Sequence, residues 1–226
     1  MGIGLLIVLG LAVAGAIAYF NYKRRQARIA GVAALGKRIG FTFNEDDVGR
    51  VVSMPFSLFE RGDGRAVELV LSGTHNGAPL QLFDYWYYDE TYDNNTHTTS
   101  RNYSRFTCGI LTLSAACPHL RLGHEGFFSR LGEHVGVHDV QFESDDFNRH
   151  FRVKCDDQKF AFCLVDGGMM EWLASADGFE AVEVVGPWVL YAGSQLDPAQ
   201  WLDIGNWLDG FRNHVPQVLY SEYPPR

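Results

Sequence analysis

Hydrophobic and polar positions divide this chain into three regimes. From Met1 to Phe20 no charged side chain interrupts an apolar run. At ~1.5 Å of rise per residue, a helix of about twenty residues covers ~30 Å, the depth of a bilayer's hydrocarbon core. From Asn21 to Gly40, Ile29, Val32, Leu35 and Ile39 recur every three or four positions, which puts them on one face of a continuing helix. Gly31 and Gly36 weaken the case for one unbroken rod. Beyond residue 40, short β-rich runs alternate with turn residues and a few helical stretches.

The clearest β signal is Asn76-Gly77, which separates residues 66–75 from residues 78–90. Asn-Gly between two β-rich runs marks a tight hairpin, because both turn residues must adopt positive φ. Tyr103 to Ser114 predicts a third strand beside the second, and His119 to Leu122 a short fourth. The polar run from Thr91 to Ser104 reads as a mobile loop. Helical spacing follows at Glu125 to His134, strands at Val140 to Glu143 and Asn148 to Lys154, and a helix over Phe160 to Ala174 interrupted at Gly167-Gly168. Ala181 to Gly186 and Trp188 to Ala192 predict a hairpin about Gly186-Pro187. The last helix is the best marked: Asp197 as N-cap, Pro198 in the first turn, Gln200 at the third position, and Trp201, Ile204, Leu208 and Phe211 as its apolar face, with Pro216 ending it.

The predicted class is α+β: an antiparallel sheet of hairpins and meanders with two or three helices packed on one side, preceded by one N-terminal transmembrane helix. The expected organisation is a span over 1–20, a basic juxtamembrane helix or linker over 21–40, one domain over 41–220 and a tail over 221–226. Division of the domain into lobes 41–136 and 137–220 is the alternative.

Charge gives the run an orientation. Lys23, Arg24, Arg25 and Arg28 follow it at once, and nothing basic precedes it. A cleaved export signal has the opposite order, with its cations first. Cations beside a span favour the cytoplasmic side. The expected topology is therefore single-pass, with the N-terminus outside and the domain in the cytoplasm. The lipid bilayer is the first expected partner, met by Lys23, Arg24, Arg25 and Arg28. Residues 1–40 hold six of the 19 Lys and Arg and none of the 27 Asp and Glu. The remainder is thus strongly acidic and lacks the basic surface that phosphate backbones require, so no nucleic-acid partner is expected.

Candidate chemistry is sparse. No nucleophile elbow, phosphate loop or metalloprotease pair is present, and no cofactor is expected. Cys108, Cys117, Cys155 and Cys163 lack zinc spacing; in a reducing compartment they should be free, mostly buried thiols. His134 and His138 are four apart, but Gly136 between them denies them a common helix face, so no metal site is assigned. Glu143, Asp145, Asp146, Asp156 and Asp157 read as turn and cap residues rather than calcium ligands. Ser72 to His75 sets hydroxyls near an imidazole, beside a turn where such residues are ordinary.

The most unusual local feature is residues 83–90. On a strand, Phe83, Tyr85 and Tyr87 share one face, while Leu82, Asp84, Trp86, Tyr88 and Glu90 share the other. One face must be core; the other displays Trp86 and Tyr88 among carboxylates, a composition suited to binding a protein partner or ligand.

Two stretches, Leu71 to Tyr85 and Phe142 to Val153, the latter continuing through Gln158 to Ala161 and Met169 to Leu173, resemble an uncharacterised group of bacterial proteins. Its members, common in actinobacteria, join one N-terminal span to a domain of unknown function. The resemblance implies that architecture and an inner-membrane setting, and brings no reaction with it. The leading expectation is therefore a membrane-anchored, non-catalytic interaction module on the cytoplasmic face, binding an unidentified protein partner. The alternative is a hydrolase-like enzyme of unrecognised type using His and carboxylate residues of 119–150.

Overall fold

The structure, a computed structural model, describes residues 2–124, 138–176 and 180–225, with side chains from Ile7 onward. Strands β1 (Thr42–Asp46), β2 (Gly64–His75), β3 (Ala78–Asp93), β4 (Thr98–Gly123), β5 (His138–Val140), β6 (Arg152–Cys155) and β7 (Ala181–Ser194) form one antiparallel sheet. Its order is β1-β2-β3-β4-β6-β5, with β7 also paired to β4. Among the described residues the α-helices are α1 (Gly2–Ile39), α2 (Asp145–His150), α3 (Gln158–Leu164), α4 (Gly167–Ser175), α5 (Trp201–Asn213) and α6 (Gln217–Glu222). The α+β architecture expected from the pattern is present.

Asn76 and Gly77 carry φ of 46° and 83°, the tight reversal that their sequence predicts. A Cβ built on Gly77 meets nothing within 4 Å, so only backbone conformation opposes a side chain there. Gly77→Ala is therefore expected to cost about 1 kcal/mol, read as a lower denaturant midpoint with unchanged slope.

The β3–β4 register continues unbroken from Leu80↔Leu111 to Asp93↔Thr98. The polar run Thr91 to Ser104 is thus mostly strand, not loop; the reversal is confined to residues 94–97. Asp93 holds that turn by accepting from the backbone N–H of Asn95 at 2.8 Å and Thr96 at 3.3 Å. The strands expected at 103–114 and 119–122 are one continuous β4. The hairpin expected at Gly186-Pro187 is likewise absent. β7 runs straight past it because β4 extends along both of its halves, and Gly186, at φ 56°, sits at an irregularity opposite Cys117.

Further along, Asn148 lies in α2 rather than a strand, because the Ser144 hydroxyl accepts from the Phe147 N–H and caps a helix there. The helix expected over 160–174 is split into α3 and α4, with Asp166 capping the second. Asp197 caps a short 3-10 turn that leads into α5, whose Trp201, Ile204, Leu208 and Phe211 are buried as the spacing predicts. The helix expected at Glu125 to His134 lies outside the described residues.

Both sheet faces are covered over the domain. One carries Val32 and Leu35 of α1, Phe160 and Leu164 of α3, Met169 and Leu173 of α4, and the face of α5. The other, which the sequence pattern left without a cover, is sealed by Val51, Phe56, Leu58 and Phe59 from the segment after β1.

Residues 2–39 form a single helix despite Gly31 and Gly36. Those glycines mark close approaches instead: a Cβ on Gly31 would lie 3.3 Å from the Pro198 ring, and one on Gly36 2.7 Å from Leu71 Cδ2. Among the described residues no helix is long and apolar enough to cross a membrane, so what is shown is a long helix rather than a span.

Candidate functional site

Alternation along β3 sends successive side chains to opposite faces, and here both sets are used. Phe83, Tyr85 and Tyr87 point into the core under Phe56 and Phe59, and the Tyr85 hydroxyl donates to the Leu58 carbonyl at 2.8 Å. The opposite face carries Leu82, Asp84, Trp86 and Tyr88, and it is the face on which α1 lies.

Asp84 is 2% exposed and receives a two-pronged ion pair from Arg28: Nε to Oδ2 at 2.5 Å and Nη2 to Oδ1 at 2.7 Å. The Thr107 hydroxyl donates to Oδ1 at 3.2 Å and accepts from the Leu196 N–H at 2.9 Å. The Arg28 guanidinium also stands 5.8 Å from the Trp201 ring centroid. One charged contact thus ties α1 to β3, β4 and the start of α5. Sequence spacing placed Arg28 with Lys23, Arg24 and Arg25 at a lipid surface; the structure turns it inward. Arg25 lies 3.6 Å from Glu68 and remains exposed, and Lys23 stands over the Tyr19 ring.

Outward from Asp84, three aromatic rings assemble across β3 and β4. Trp86 and Tyr88 stack at 6.2 Å and 18°, and Tyr103 contacts both, at 5.7 and 5.3 Å. Gly64 of β2 leaves room for Tyr88: a Cβ there would collide with the tyrosine ring. Arg101 covers Tyr88 at 4.5 Å while its Nε bonds Glu90 at 2.8 Å, and Arg105 stands over Tyr103 at 5.6 Å. Trp86 and Tyr88 are half-buried, and Tyr103 and Tyr92 are 46% and 56% exposed. The structure therefore brings together Trp86 and Tyr88, expected from the alternation, and adds Tyr103, Arg101 and Arg105. Their sequence separation from β3 hid them; only the hairpin register sets Tyr103 beside Tyr88 and Arg105 beside Trp86.

A second polar cluster lies buried on the other face. Glu183 Oε1 accepts from the Ser57 N–H at 2.8 Å and the Ser57 hydroxyl at 2.7 Å, and lies 2.6 Å from His119 Nε2. Arg121, 1% exposed, is the direct cross-strand neighbour of Glu183; burial lowers the guanidinium's pKa, and the Glu183 carboxylate offsets part of that effect. Hydroxyl and imidazole both turn to the carboxylate rather than to each other, so no base is set to activate Ser57. The cluster fastens residue 57 to β7. Sequence reasoning noticed His119 but not Arg121 or Glu183, which meet only through strand pairing.

The remaining candidates are dispersed. His138 and Asp139 are exposed on β5, and Asp157 caps α3. His75 bonds Asn206 at 3.1 Å, and Glu133 and His134 lie outside the described residues. Among the described residues no three His, Cys, Asp or Glu side chains form a metal-holding group. All four cysteines are free thiols, with Cys108, Cys117 and Cys155 buried. Burial pushes the Cys108 thiol well up, Cys117 to about 12 with Cys163 adding to the effect, and Cys155 to about 11 against an opposing backbone hydrogen bond from Asp157. Burial raises the Cys163 thiol too, but Cys163 alone is partly exposed, so in the native protein at pH 8 a thiol reagent should label it slowly and first, and all four cysteines once unfolded. The folded state keeps its buried thiols protonated where the unfolded chain ionises. Stability should accordingly fall as pH rises from about 9 towards 11, by up to ~1.4 kcal/mol per pH unit for each thiol in that window.

No family model matches the chain, and no curated protein sequence matches it. The fold is similar to that in the crystal structure of the mycobacterial trehalose monomycolate transport factor A, TtfA. The two share 16% sequence identity at a TM-score of 0.62, over 88% of this chain and 97% of that one. At this identity the likeness shows a common fold.

Proposed function

We propose that this chain is a membrane-tethered, non-catalytic interaction module whose domain stands on the cytoplasmic face of a bacterial inner membrane. The observation that carries the reading is the division of α1. Its later part is fastened to the sheet through Val32, Leu35 and the Arg28–Asp84 pair. Among the described residues its earlier part packs on nothing: Ile7, Val8, Leu9, Leu11, Val13, Ile17 and Phe20 are each more than half exposed. A contiguous apolar surface of that kind requires a cover, and with the uncharged run of residues 1–20 a bilayer is the cover that fits. Lys23, Arg24 and Arg25 then lie at the cytoplasmic headgroups.

Because α1 is continuous, the domain does not hang on a flexible linker. It is held at a set orientation to the membrane, with Trp86 and Tyr88 as its binding face. The fold shared with a protein named as a transport factor directs the search for partners to membrane transport components. The uncharacterised bacterial group suggested by Leu71 to Tyr85 and Phe142 to Val153 fits the same setting.

Two C-terminal fusions test this reading, one to a reporter active only outside the inner membrane and one to a reporter active only inside. The inside reporter should be active, in a membrane fraction that resists alkaline extraction. Activity of the outside reporter, or release of the chain by alkali, would refute the proposal.

A further inference from the structure

We infer that the outer end of the β3–β4 hairpin rests on the lipid–water interface, with Trp86, Tyr88 and Tyr103 among phospholipid headgroups and Arg105 facing their phosphates. The inference depends on the membrane tether proposed above and identifies what its aromatic face touches.

The first support is direction. Gly36 of α1 sits against Leu71, and nearer the N-terminus Arg28 and Arg25 reach Asp84 and Glu68. Leu71 pairs with Leu82, and Glu68 with Asp84. Moving back along α1 is therefore moving outward along β3, and both elements leave the domain towards the same end. From Arg28 to Phe20 the helix advances ~12 Å. From Asp84 to Asp93 the strand advances ~30 Å. The hairpin is long enough to reach any boundary that α1 crosses near Phe20, with length left to lie along it.

The second support is composition. Trp and Tyr concentrate at membrane interfaces, where an apolar ring and a polar edge each find their medium. On the hairpin these are Trp86, Tyr88, Tyr103 and Tyr92; on α1, Tyr19 and Tyr22 occupy the stretch just before the cations.

Charge is the third. On the α1 side of this end, Glu68, Asp84 and Glu90 are met by Arg25, Arg28 and Arg101, while Lys23, Arg24 and Arg105 stand with Asp46, the cross-strand neighbour of Glu68, and Asp197, in the groove that Arg24 lines. Asp89 and Asp93 belong to the opposite face of the strand. An otherwise acidic domain thus gathers enough cations to balance its carboxylates on the aromatic surface at the end from which α1 departs, so this end is the one an anionic lipid surface repels least.

The test uses the full chain in vesicles of phosphatidylcholine and phosphatidylglycerol, with a nitroxide on the headgroup as quencher. Part of the tryptophan emission should be quenched, and Trp86→Phe should remove that part, since Trp201, near Arg28, is fully buried and Trp172 and Trp207 pack together against α5. An unchanged unfolding midpoint for Trp86→Phe establishes that the fold is intact. Arg105→Gln should weaken the contact about fivefold, the worth of one cation near an anionic surface. A chain that floats with the vesicles while Trp86 stays as open to aqueous iodide as in detergent would overturn this inference, leaving the hairpin for a protein partner and the tether intact. Failure to float would overturn the tether and this inference with it.

Discussion

Arg28→Ala should lower the unfolding free energy of the full chain by about 3–5 kcal/mol, the usual cost of stranding one member of a buried ion pair. Asp84 is 2% exposed, and without Arg28 its main charged partner is gone, leaving the Thr107 hydroxyl at 3.2 Å. Asp84→Ala should cost less, because the freed arginine, at 21% side-chain exposure, can reach water. The double variant Arg28→Ala/Asp84→Ala should lose less than the two single losses added together, since neither charge is then abandoned. Denaturant unfolding of the four proteins in one detergent closes the cycle. Additive losses would show that the pair contributes no coupling, and would remove the basis for describing α1 as rigidly joined to the sheet.

Glu183→Ala should be of similar size, again about 3–5 kcal/mol, on the other face of the sheet. It withdraws the carboxylate that Arg121 and His119 both face, in a place where burial already disfavours the guanidinium charge. It also frees residue 57, whose N–H and hydroxyl both bond Glu183, and with it the cover formed by Phe56, Leu58 and Phe59. Amide exchange should therefore accelerate first over residues 56–60. Ser57→Ala, which removes one donor and no charge, should cost only about 1 kcal/mol. Equal losses for both substitutions would contradict the view that the carboxylate organises this cluster.

These two contacts lie on opposite faces of one sheet and differ in what could be read in advance. The alternation of residues 82–90 declared two faces, and it correctly gathered Phe83, Tyr85 and Tyr87 on one and Asp84, Trp86 and Tyr88 on the other. It could not say that Asp84 would receive Arg28 from 56 residues away. In sequence, Arg28 is indistinguishable from Lys23, Arg24 and Arg25, because a run of cations after an apolar stretch has one reading until a buried carboxylate selects one of them. Ser57, Arg121 and Glu183 carried no local signal at all, being ordinary residues until pairing of β4 with β7 and folding of the segment after β1 bring them together.

The errors have the same origin. Gly186-Pro187 and the polar run from Thr91 to Ser104 have turn composition, and turn composition acts locally. A neighbouring strand overrides it when the backbone groups there can be satisfied in a ladder instead, as β4 does for β7 and as each arm of the β3–β4 hairpin does for the other. Where the local signal demanded a conformation that few residues adopt, it held: Asn76-Gly77 at positive φ, and Asp197 capping the turn into α5.

By itself, then, the amino-acid order determined those features whose cause lies within a few residues: the uncharged leading run, its trailing cations, the Asn-Gly reversal, the capped last helix and the two-faced strand. The tertiary structure alone decided which cation turns inward, which carboxylates are buried, how far β4 and the β3–β4 hairpin extend, and that the aromatic rings stand at the end from which α1 departs. The physical reason is range. Backbone sterics and capping hydrogen bonds act over one turn of chain, whereas burying a charge or pairing a strand depends on groups that only the folded chain brings within reach.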